Sequence, residues 1–168
     1  MAKALCAPLS LIIPRKIGAP YNPELAVAAV TQDGDLLLKE ELTISLNIPP
    51  DYIEKEKKIQ MEEIKRRAEK YGAKDIELEE KVVILVDDGI ATGFTMLAAI
   101  KSLKKRNPQR IILAVPVAPS ETIGEMKREV DEVIYLHTPK YFGAISQFYR
   151  TFPQTTDEEV IEILRNFG

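Results

Sequence analysis

The sequence predicts an α/β protein with a parallel, doubly wound sheet, and two observations favour that class. Residues 82–136 alternate between aliphatic runs and amphipathic stretches in the order strand, helix, strand, helix, strand. The runs VVILV and RIILAVPV are rich in β-branched residues, as expected of parallel strands that are covered on both faces. This alternation indicates right-handed crossovers between parallel strands.

The composition fits one domain and excludes several classes of function. The chain has 168 residues, of which 45% are hydrophobic and 29% charged, with a net charge of −3. That length supports a substantial core, and the charge gives no basis for bulk nucleic-acid binding. No apolar run reaches the length of a membrane span, and the start of the chain is too Pro-interrupted for a signal peptide. We expect the single cysteine, Cys6, to be a small buried residue in a cytoplasmic protein.

The first part of the chain predicts an appendage on that sheet. Residues 2–6 resemble the end of a helix, and the run LSLII (9–13) predicts a buried strand that joins the sheet. Residues 15–24 are dense in Pro, Gly and Asn and predict a loop. Residues 25–38 predict two strands around a turn at Asp33 and Gly34.

Residues 50–72 predict a long helix that ends at Gly72. Its apolar positions form a thin seam made of Met61, Ile64, Ala68 and Tyr71. Opposite charges recur at i,i+4 spacing in the pairs Glu54/Lys58, Glu62/Arg66 and Glu63/Arg67.

The last part of the chain predicts the remaining elements of the sheet. Residues 95–105 predict a helix with one apolar face, formed by Met96, Ala99, Ile100 and Leu103. Residues 110–117 and 132–136 predict strands, and Ser120 can cap a helix that runs to about residue 130. Thr156 and Glu159 form a capping box for a final helix. The single histidine, His137, is interpreted as a strand-end residue.

The stretch VDDGIATGFT (86–95) carries the predicted chemistry. A small-residue turn between a strand and a helix N-terminus is an anion site, to which the hydroxyls of Thr92 and Thr95 can add donors. Asp87 and Asp88 repel anions but accept hydrogen bonds, which a vicinal diol can donate. A ribose phosphate satisfies both halves of the stretch, with its phosphate in the turn and its diol on the two carboxylates.

Other interpretations of this stretch explain less of it. A P-loop requires a lysine after Gly93, and the G-x-G-x-x-G fingerprint of dinucleotide sites does not occur here. A magnesium site on Asp87 and Asp88 leaves the glycine turn unexplained. A plain tight turn accounts for Asp-Gly alone, but not for the aliphatic run before it and the Gly-x-Thr after it.

The string VILVDDGIATGFTM resembles the phosphoribosyl-pyrophosphate (PRPP) motif of the type I phosphoribosyltransferases. The segments RKIGAPYNPELAVAAV, AVPVAPSE and ISQFYRTFPQTTDEEV extend the similarity to a subfamily of undefined acceptor. The resemblance implies transfer of the phosphoribosyl group of PRPP to a nitrogen nucleophile with release of pyrophosphate, as in base salvage.

The resemblance also implies roles for individual residues. Asp87 and Asp88 would hold the ribose 2′ and 3′ hydroxyls and favour an oxocarbenium-like transition state. Arg15 and Lys16 would contact the pyrophosphate, which Mg²⁺ would accompany. The 5-phosphate would be bound by the turn Gly89, Ile90, Ala91, Thr92, Gly93, Phe94 and Thr95.

Further expectations concern the acceptor and the surroundings of the site. Ala91 stands where enzymes for 6-oxopurines carry an Asp, which argues against that substrate class. Residues 31–81 are the candidate for a mobile hood within a single domain, with a solvated surface or a homodimer contact as the alternatives. The acceptor ring would stack on Tyr141, Phe142, Phe148 and Tyr149, unless these are core aromatics.

One feature of the family is missing from the sequence. Its pyrophosphate loop reads like PRGG in this subfamily, and no such string occurs here. A truncated start, a chain without catalysis or a loop supplied by another subunit would each explain the difference. A module that senses PRPP or a nucleotide without catalysis is therefore the alternative function.

Overall fold

The computed structural model of this chain describes residues 1–72 and 76–167. The described strands are β1 (Arg15–Ala19), β2 (Asn22–Val30), β3 (Leu36–Leu38), β4 (Val82–Val86), β5 (Arg110–Val117) and β6 (Glu132–His137). The described α-helices are α1 (Ala2–Leu5), α2 (Glu40–Ser45), α3 (Pro50–Tyr71), α4 (Phe94–Lys104), α5 (Ser120–Met126) and α6 (Asp157–Phe167), and a 3₁₀ turn spans Ile145–Phe148.

The chain divides into two compact units, and each contains its own sheet. The first unit comprises Met1–Ile76 together with Gln154–Gly168, and the second comprises Glu77–Pro153. Strands β1, β2 and β3 form an antiparallel sheet in the first unit, whereas β4, β5 and β6 form a parallel sheet in the second. The predicted α/β class with a parallel sheet is confirmed.

The predicted hairpin is confirmed, but the predicted loop before it is wrong. Val30 pairs with Leu36 across the turn, and Gly34 in that turn has a φ of 83°. Residues 15–24 were expected to be a loop, yet β1 and the start of β2 occupy them and pair antiparallel, with Arg15 opposite Val30. The register shifts on both sides of Gly18, so this ladder is irregular at the positions that looked least like a strand.

The seam of α3 packs on the core of the first unit, as predicted. Ile64 is 2% exposed, and Met61, Ala68 and Tyr71 pack against the buried cluster. The predicted pair Glu63/Arg67 forms at 2.7 Å, and Arg66 also binds Glu63 rather than Glu62. The helix ends where Gly72 takes the left-handed conformation. Most of segment 31–72 is thus held to the antiparallel sheet; residues 73–75 of the predicted hood lie outside the described residues.

Two expectations for the start of the chain are wrong. The run LSLII forms no strand and does not join the parallel sheet; Ile13 instead buries its side chain in the core of the first unit. Hydrophobicity alone does not supply a neighbouring strand, so Ile13 is buried and residues 9–12 are half-buried without a hydrogen-bonded ladder. Cys6 is exposed rather than buried, and its backbone takes the left-handed conformation after α1.

The parallel sheet has one covered face and one open face. Strands β4, β5 and β6 lie in chain order, so right-handed crossovers place α4 and α5 on the same side. Ile111, Leu113, Val115 and Val117 of β5 are buried, as is the predicted face of α4. The opposite face carries large aliphatic side chains that remain exposed, namely Val82, Ile84, Val86, Ile134 and Leu136.

The helix boundaries show which predicted caps form. The capping box before α6 is confirmed, because Thr156 and Glu159 exchange backbone-to-side-chain hydrogen bonds of 2.7 and 3.2 Å. The predicted cap of α5 is wrong: Pro119 is the N-cap, Ser120 is already helical, and the helix ends at Met126. His137 is the last residue of β6, as predicted. None of the described helices is long and apolar enough to cross a membrane.

Candidate functional site

The candidate site lies in the second unit, at the carboxyl end of the parallel sheet. Strand β4 pairs with β5 along its whole length, from Val82 opposite Arg110 to Val86 opposite Ala114. Asp87 and Asp88 follow directly and are exposed. The backbone N–H of Asp88 donates a 2.9 Å hydrogen bond to Oδ1 of Asp87. In open α/β sheets, ligands bind at this edge.

The carboxyl of Asp87 is in a setting that disfavours its charge. Although Asp87 is exposed to water, the protein around its carboxyl desolvates it, which raises the pKa of Asp87 to about 6. The hydrogen bond from the backbone of Asp88 opposes this rise, and the charge of Asp88 adds to it. Asp87 is therefore still mostly ionised at neutral pH, when it can accept hydrogen bonds from a diol.

Gly89 and Ile90 attach the turn to the end of β5. The N–H of Ile90 donates a 3.0 Å hydrogen bond to the carbonyl of Val117, and Ile90 is 4% exposed. A Cβ on Gly89 would lie 3.0 Å from side-chain atoms of both Val117 and Ile145. The close approach of these two side chains requires a glycine after the acidic pair, and it fixes where the carboxylates emerge from the sheet.

The turn leads into the N-terminus of α4, where an anion can bind. Gly93 is the N-cap residue with a φ of 72°, and no side chain caps the helix. The first turn of a helix presents N–H groups without intrahelical acceptors, and the helix dipole favours a negative charge there. Thr92 and Thr95 are exposed beside this turn, as is Ala91, whereas the side chain of Phe94 is buried. The turn that was predicted to bind phosphate thus leads directly into a helix N-terminus, and its binding of phosphate stays a prediction.

Thr122 of α5 contacts the turn, and the sequence did not predict this contact. Its hydroxyl donates a 2.8 Å hydrogen bond to the carbonyl of Ala91, and Thr122 itself is 6% exposed. A Cβ on Gly93 would lie 2.9 Å from the methyl group of Thr122. Thr122 is 31 residues away from Ala91 in sequence, so no local pattern indicates this contact.

The four aromatic residues that were predicted to stack on an acceptor ring have different surroundings. Phe142 and Phe148 have ring centroids 5.4 Å apart, and Phe148 also meets His137 edge-on at 5.9 Å. Tyr141 is 91% exposed. The hydroxyl of Tyr149 donates a 2.6 Å hydrogen bond to the backbone carbonyl of Asp88. Of the four, Tyr149 is therefore tied to the acidic pair by a direct contact, which the sequence did not predict.

Arg15 and Lys16 lie in β1 of the first unit, and both side chains have polar partners there. The Nε of Arg15 donates to Oε1 of Gln60 at 3.0 Å, and Lys16 forms a 2.9 Å ion pair with Glu24. The ammonium of Lys16 lowers the pKa of Glu24 through their hydrogen bond. Arg15 and Lys16 thus belong to the first unit, whereas Asp87 and Asp88 belong to the second.

The two carboxylates of the site have the chemistry to take part in binding a magnesium ion. Within residues 1–72 and 76–167 no three acidic, histidine or cysteine side chains come together as a metal cage. Mg²⁺ commonly binds through one or two carboxylates plus phosphate oxygens and water. Asp87 and Asp88 provide such a pair, so the donor set suits an ion shared with a phosphate ligand.

Comparisons with known proteins assign the chain to a family. The phosphoribosyl transferase domain family matches residues 13–151, which include β4, the acidic pair, the turn and α4. Two proteins of Mycobacterium tuberculosis, from strains CDC 1551 and H37Rv, are each 37% identical over 166 residues and are named as candidate phosphoribosyl transferases. The aligned region is 98% of this chain and 38% of each of those proteins, so the chain spans well under half of their length.

A solved structure shares the fold. The crystal structure of TT1426 from Thermus thermophilus is 36% identical in sequence and superposes with a TM-score of 0.79, over 99% of this chain and 79% of that one. Since the family match covers most of the chain and includes the candidate site, the chain belongs to the phosphoribosyl transferase domain family.

Proposed function

We propose that this chain transfers the phosphoribosyl group of PRPP to a nitrogen nucleophile and releases pyrophosphate. The observation that carries the proposal is the sequence of groups at the carboxyl end of β4: two exposed carboxylates, a turn tied to β5 and α5, and an uncapped helix N-terminus. This order matches a ribose phosphate, which has a diol at one end and a dianion at the other.

Each part of the site has a task in this reaction. Asp87 and Asp88 accept hydrogen bonds from the ribose hydroxyls, and the turn from Gly89 to Thr95 binds the 5-phosphate. As the bond from ribose C1 to pyrophosphate breaks and the bond to nitrogen forms, positive charge develops on the ring. Negative carboxylates beside the ribose stabilise that charge. Asp87 contributes most of its charge at neutral pH, since the pKa of its carboxyl is about 6.

The pyrophosphate requires positive charge. We assign this task to Arg15 and Lys16, as the family resemblance implies, and to Mg²⁺, which the carboxylates of Asp87 and Asp88 would help to hold. The exposed thiol of Cys6 suits the reducing cytoplasm, and we propose that compartment. A hood formed by residues 31–81 and a homodimer remain part of the proposal. The acceptor ring would stack on one or more of Tyr141, Phe142, Phe148 and Tyr149. Ala91 directs it away from 6-oxopurine acceptors.

The first test is a calorimetric titration with PRPP and with ribose 5-phosphate. We expect the wild type to bind both, and Asp87→Asn to bind about ten-fold more weakly, because a hydrogen bond to a charged acceptor is lost. Glu125→Gln, on the exposed side of α5 in the same unit, serves as the matched control and should bind like the wild type. A wild-type protein that binds neither ligand would refute the proposal.

The second test separates an enzyme from a sensing module. The sensor is the alternative because no PRGG string, which marks the pyrophosphate loop in this subfamily, occurs in the sequence. Release of pyrophosphate from PRPP should be measured with a panel of purine and pyrimidine bases and magnesium. Release with any base supports the enzyme, and Arg15→Ala should then slow release without weakening the binding of ribose 5-phosphate. Tight PRPP binding without release supports the sensor.

A further inference from the structure

The segment after β6 lies beside two consecutive residues of the candidate site, Asp88 and Gly89. The hydroxyl of Tyr149 lies 2.6 Å from the carbonyl oxygen of Asp88. A Cβ on the next residue, Gly89, would lie 3.0 Å from Cγ2 of Ile145. Ile145 begins the 3₁₀ turn and Tyr149 follows it directly. Tyr149 therefore binds the peptide that joins Asp88 to Gly89, and Ile145 at the other end of the same short turn lies beside Gly89.

The hydrogen bond to the carbonyl of Asp88 orients the whole peptide group between Asp88 and Gly89. Because a trans peptide is planar, with its C=O and N–H pointing in opposite directions, the bond to the Asp88 carbonyl also sets the direction of the Gly89 N–H. A donor on the carbonyl polarises the peptide and makes its N–H a stronger donor. The orientation of the Asp88 carboxylate depends on the same backbone.

The surroundings of Tyr149 suit a permanent donor. A tyrosine hydroxyl already keeps its proton at neutral pH, and desolvation together with the charges of Asp88 and Asp87 raises the pKa of Tyr149 further. The backbone N–H of Tyr149 donates to the carbonyl of Ser146 at 3.2 Å, and its ring lies 5.2 Å from the ring of Phe152. Backbone and ring are both held, so the hydroxyl is directed at one acceptor.

We propose that Tyr149 is a positioning residue, which orients the Asp88–Gly89 peptide so that the acidic pair recognises the hydroxyls of a ribose. This inference rests on the proposed function and gives Tyr149 a role that depends on its hydroxyl, whereas stacking on an acceptor ring depends on its aromatic face. Ile145 acts with Tyr149 by holding Gly89 in place.

The test compares two ligands that differ by one hydroxyl. Ribose 5-phosphate and 2-deoxyribose 5-phosphate are titrated by calorimetry into the wild type and into Tyr149→Phe. We expect the wild type to prefer ribose 5-phosphate. Tyr149→Phe should lose roughly five-fold in affinity for it, the factor that corresponds to one hydrogen bond, and lose less for the deoxy sugar, so that the preference shrinks. Tyr21→Phe, at a fully exposed tyrosine of the other unit, is the matched control.

The outcomes separate positioning from general destabilisation. A loss of fold weakens both ligands equally, whereas mispositioned carboxylates reduce the preference between them; melting temperatures are recorded for every variant. If Tyr149→Phe is unfolded, Ile145→Ala tests the same prediction through Gly89. An unchanged preference in a folded Tyr149→Phe overturns the inference and leaves the proposed function intact. Failure of the wild type to bind either sugar phosphate overturns both.

Discussion

Asp87 has a carboxyl whose negative charge is costly in the free protein. Its carboxyl is partly desolvated at the end of β4, so that its charge is less favourable in the folded chain than in the unfolded one. Such a residue is expected at a binding site, where a ligand later supplies the missing hydrogen bonds. The same shift makes the stability of the free protein depend on pH.

We expect Asp87→Asn to raise the melting temperature at pH 7.5, and to raise it less at about pH 4.5. Because the pKa of Asp87 is about 6 in the folded chain and about 3.9 in an unfolded one, the folded state binds the extra proton between these values. The destabilisation is thus fully present above pH 6 and disappears as the pH falls towards 4. Melting curves at several pH values check this, and a pH-independent difference would contradict it.

At Gly93 the conformation of the backbone decides the outcome of a substitution. We expect Gly93→Ala to destabilise the chain by about 2 kcal/mol, because φ is 72° and a Cβ would meet Thr122 at 2.9 Å and Met126 at 3.0 Å. The matched control is Gly124→Ala within α5, where a Cβ would meet no atom within 4 Å. That change should stabilise by about 0.5–1 kcal/mol. Urea unfolding of both variants measures the contrast, and equal signs would refute it.

At the scale of elements, α6 is anchored to α3 by charge and hydrogen bonding. Asp157, in the first turn of α6, accepts hydrogen bonds from Lys70 and from Tyr71 at the end of α3. The Lys70 and Tyr71 hydrogen bonds hold the pKa of Asp157 below its usual value. The carboxylate also lies at the positive end of the α6 dipole.

We therefore expect Asp157→Asn to lower the melting temperature at neutral pH. A carboxyl with a lowered pKa contributes stability above its unfolded pKa of about 3.9, and that stability is lost as the pH falls through its folded value. The difference from the wild type should accordingly disappear in acid. Glu162→Gln, exposed on the same helix, is the control and should shift the melting temperature little at either pH. A difference that persists at low pH would point to packing instead.

The parallel sheet offers a contrast between its two faces. Leu113 of β5 is fully buried on the covered face, whereas Leu136 of β6 is 84% exposed on the open face. We expect Leu113→Ala to cost about 2–5 kcal/mol through lost burial and the cavity left behind. Leu136→Ala should change stability by no more than about 0.5 kcal/mol. Equilibrium unfolding of both variants tests the difference, and similar costs would mean that the open face is covered in solution.

For the whole molecule, the sequence predicted the elements in which apolar residues follow a regular pattern. The seam of α3 and the aliphatic strands β4 and β5 follow from periodicity, and the acidic pair and its turn follow from local chemistry. Strand β1 was missed because Gly18 and the nearby prolines are typical of loops, whereas its pairing with β2 is a tertiary event. Arg66 was assigned to Glu62 because spacing cannot choose between two neighbouring acids.

The contacts of the candidate site that the sequence did not predict join residues that are far apart in the chain. Tyr149 and Asp88 are 61 residues apart, and Thr122 reaches Ala91 from another helix. Neither contact leaves a local pattern, because any tyrosine or threonine would look the same before folding. The division into two units was equally hidden, since the last helix contacts α3 and so belongs to the unit formed by the beginning of the chain.

That division has a consequence for synthesis on the ribosome. The unit with the parallel sheet is one continuous stretch, Glu77–Pro153, whereas the other unit needs Gln154–Gly168 for completion. Translation therefore delivers every residue of the candidate site before it delivers Asp157, whose carboxylate binds Lys70 and Tyr71 of α3. Domains generally fold as units as they emerge, so the unit that contains residues 1–72 is completed after the unit Glu77–Pro153, although it begins before it.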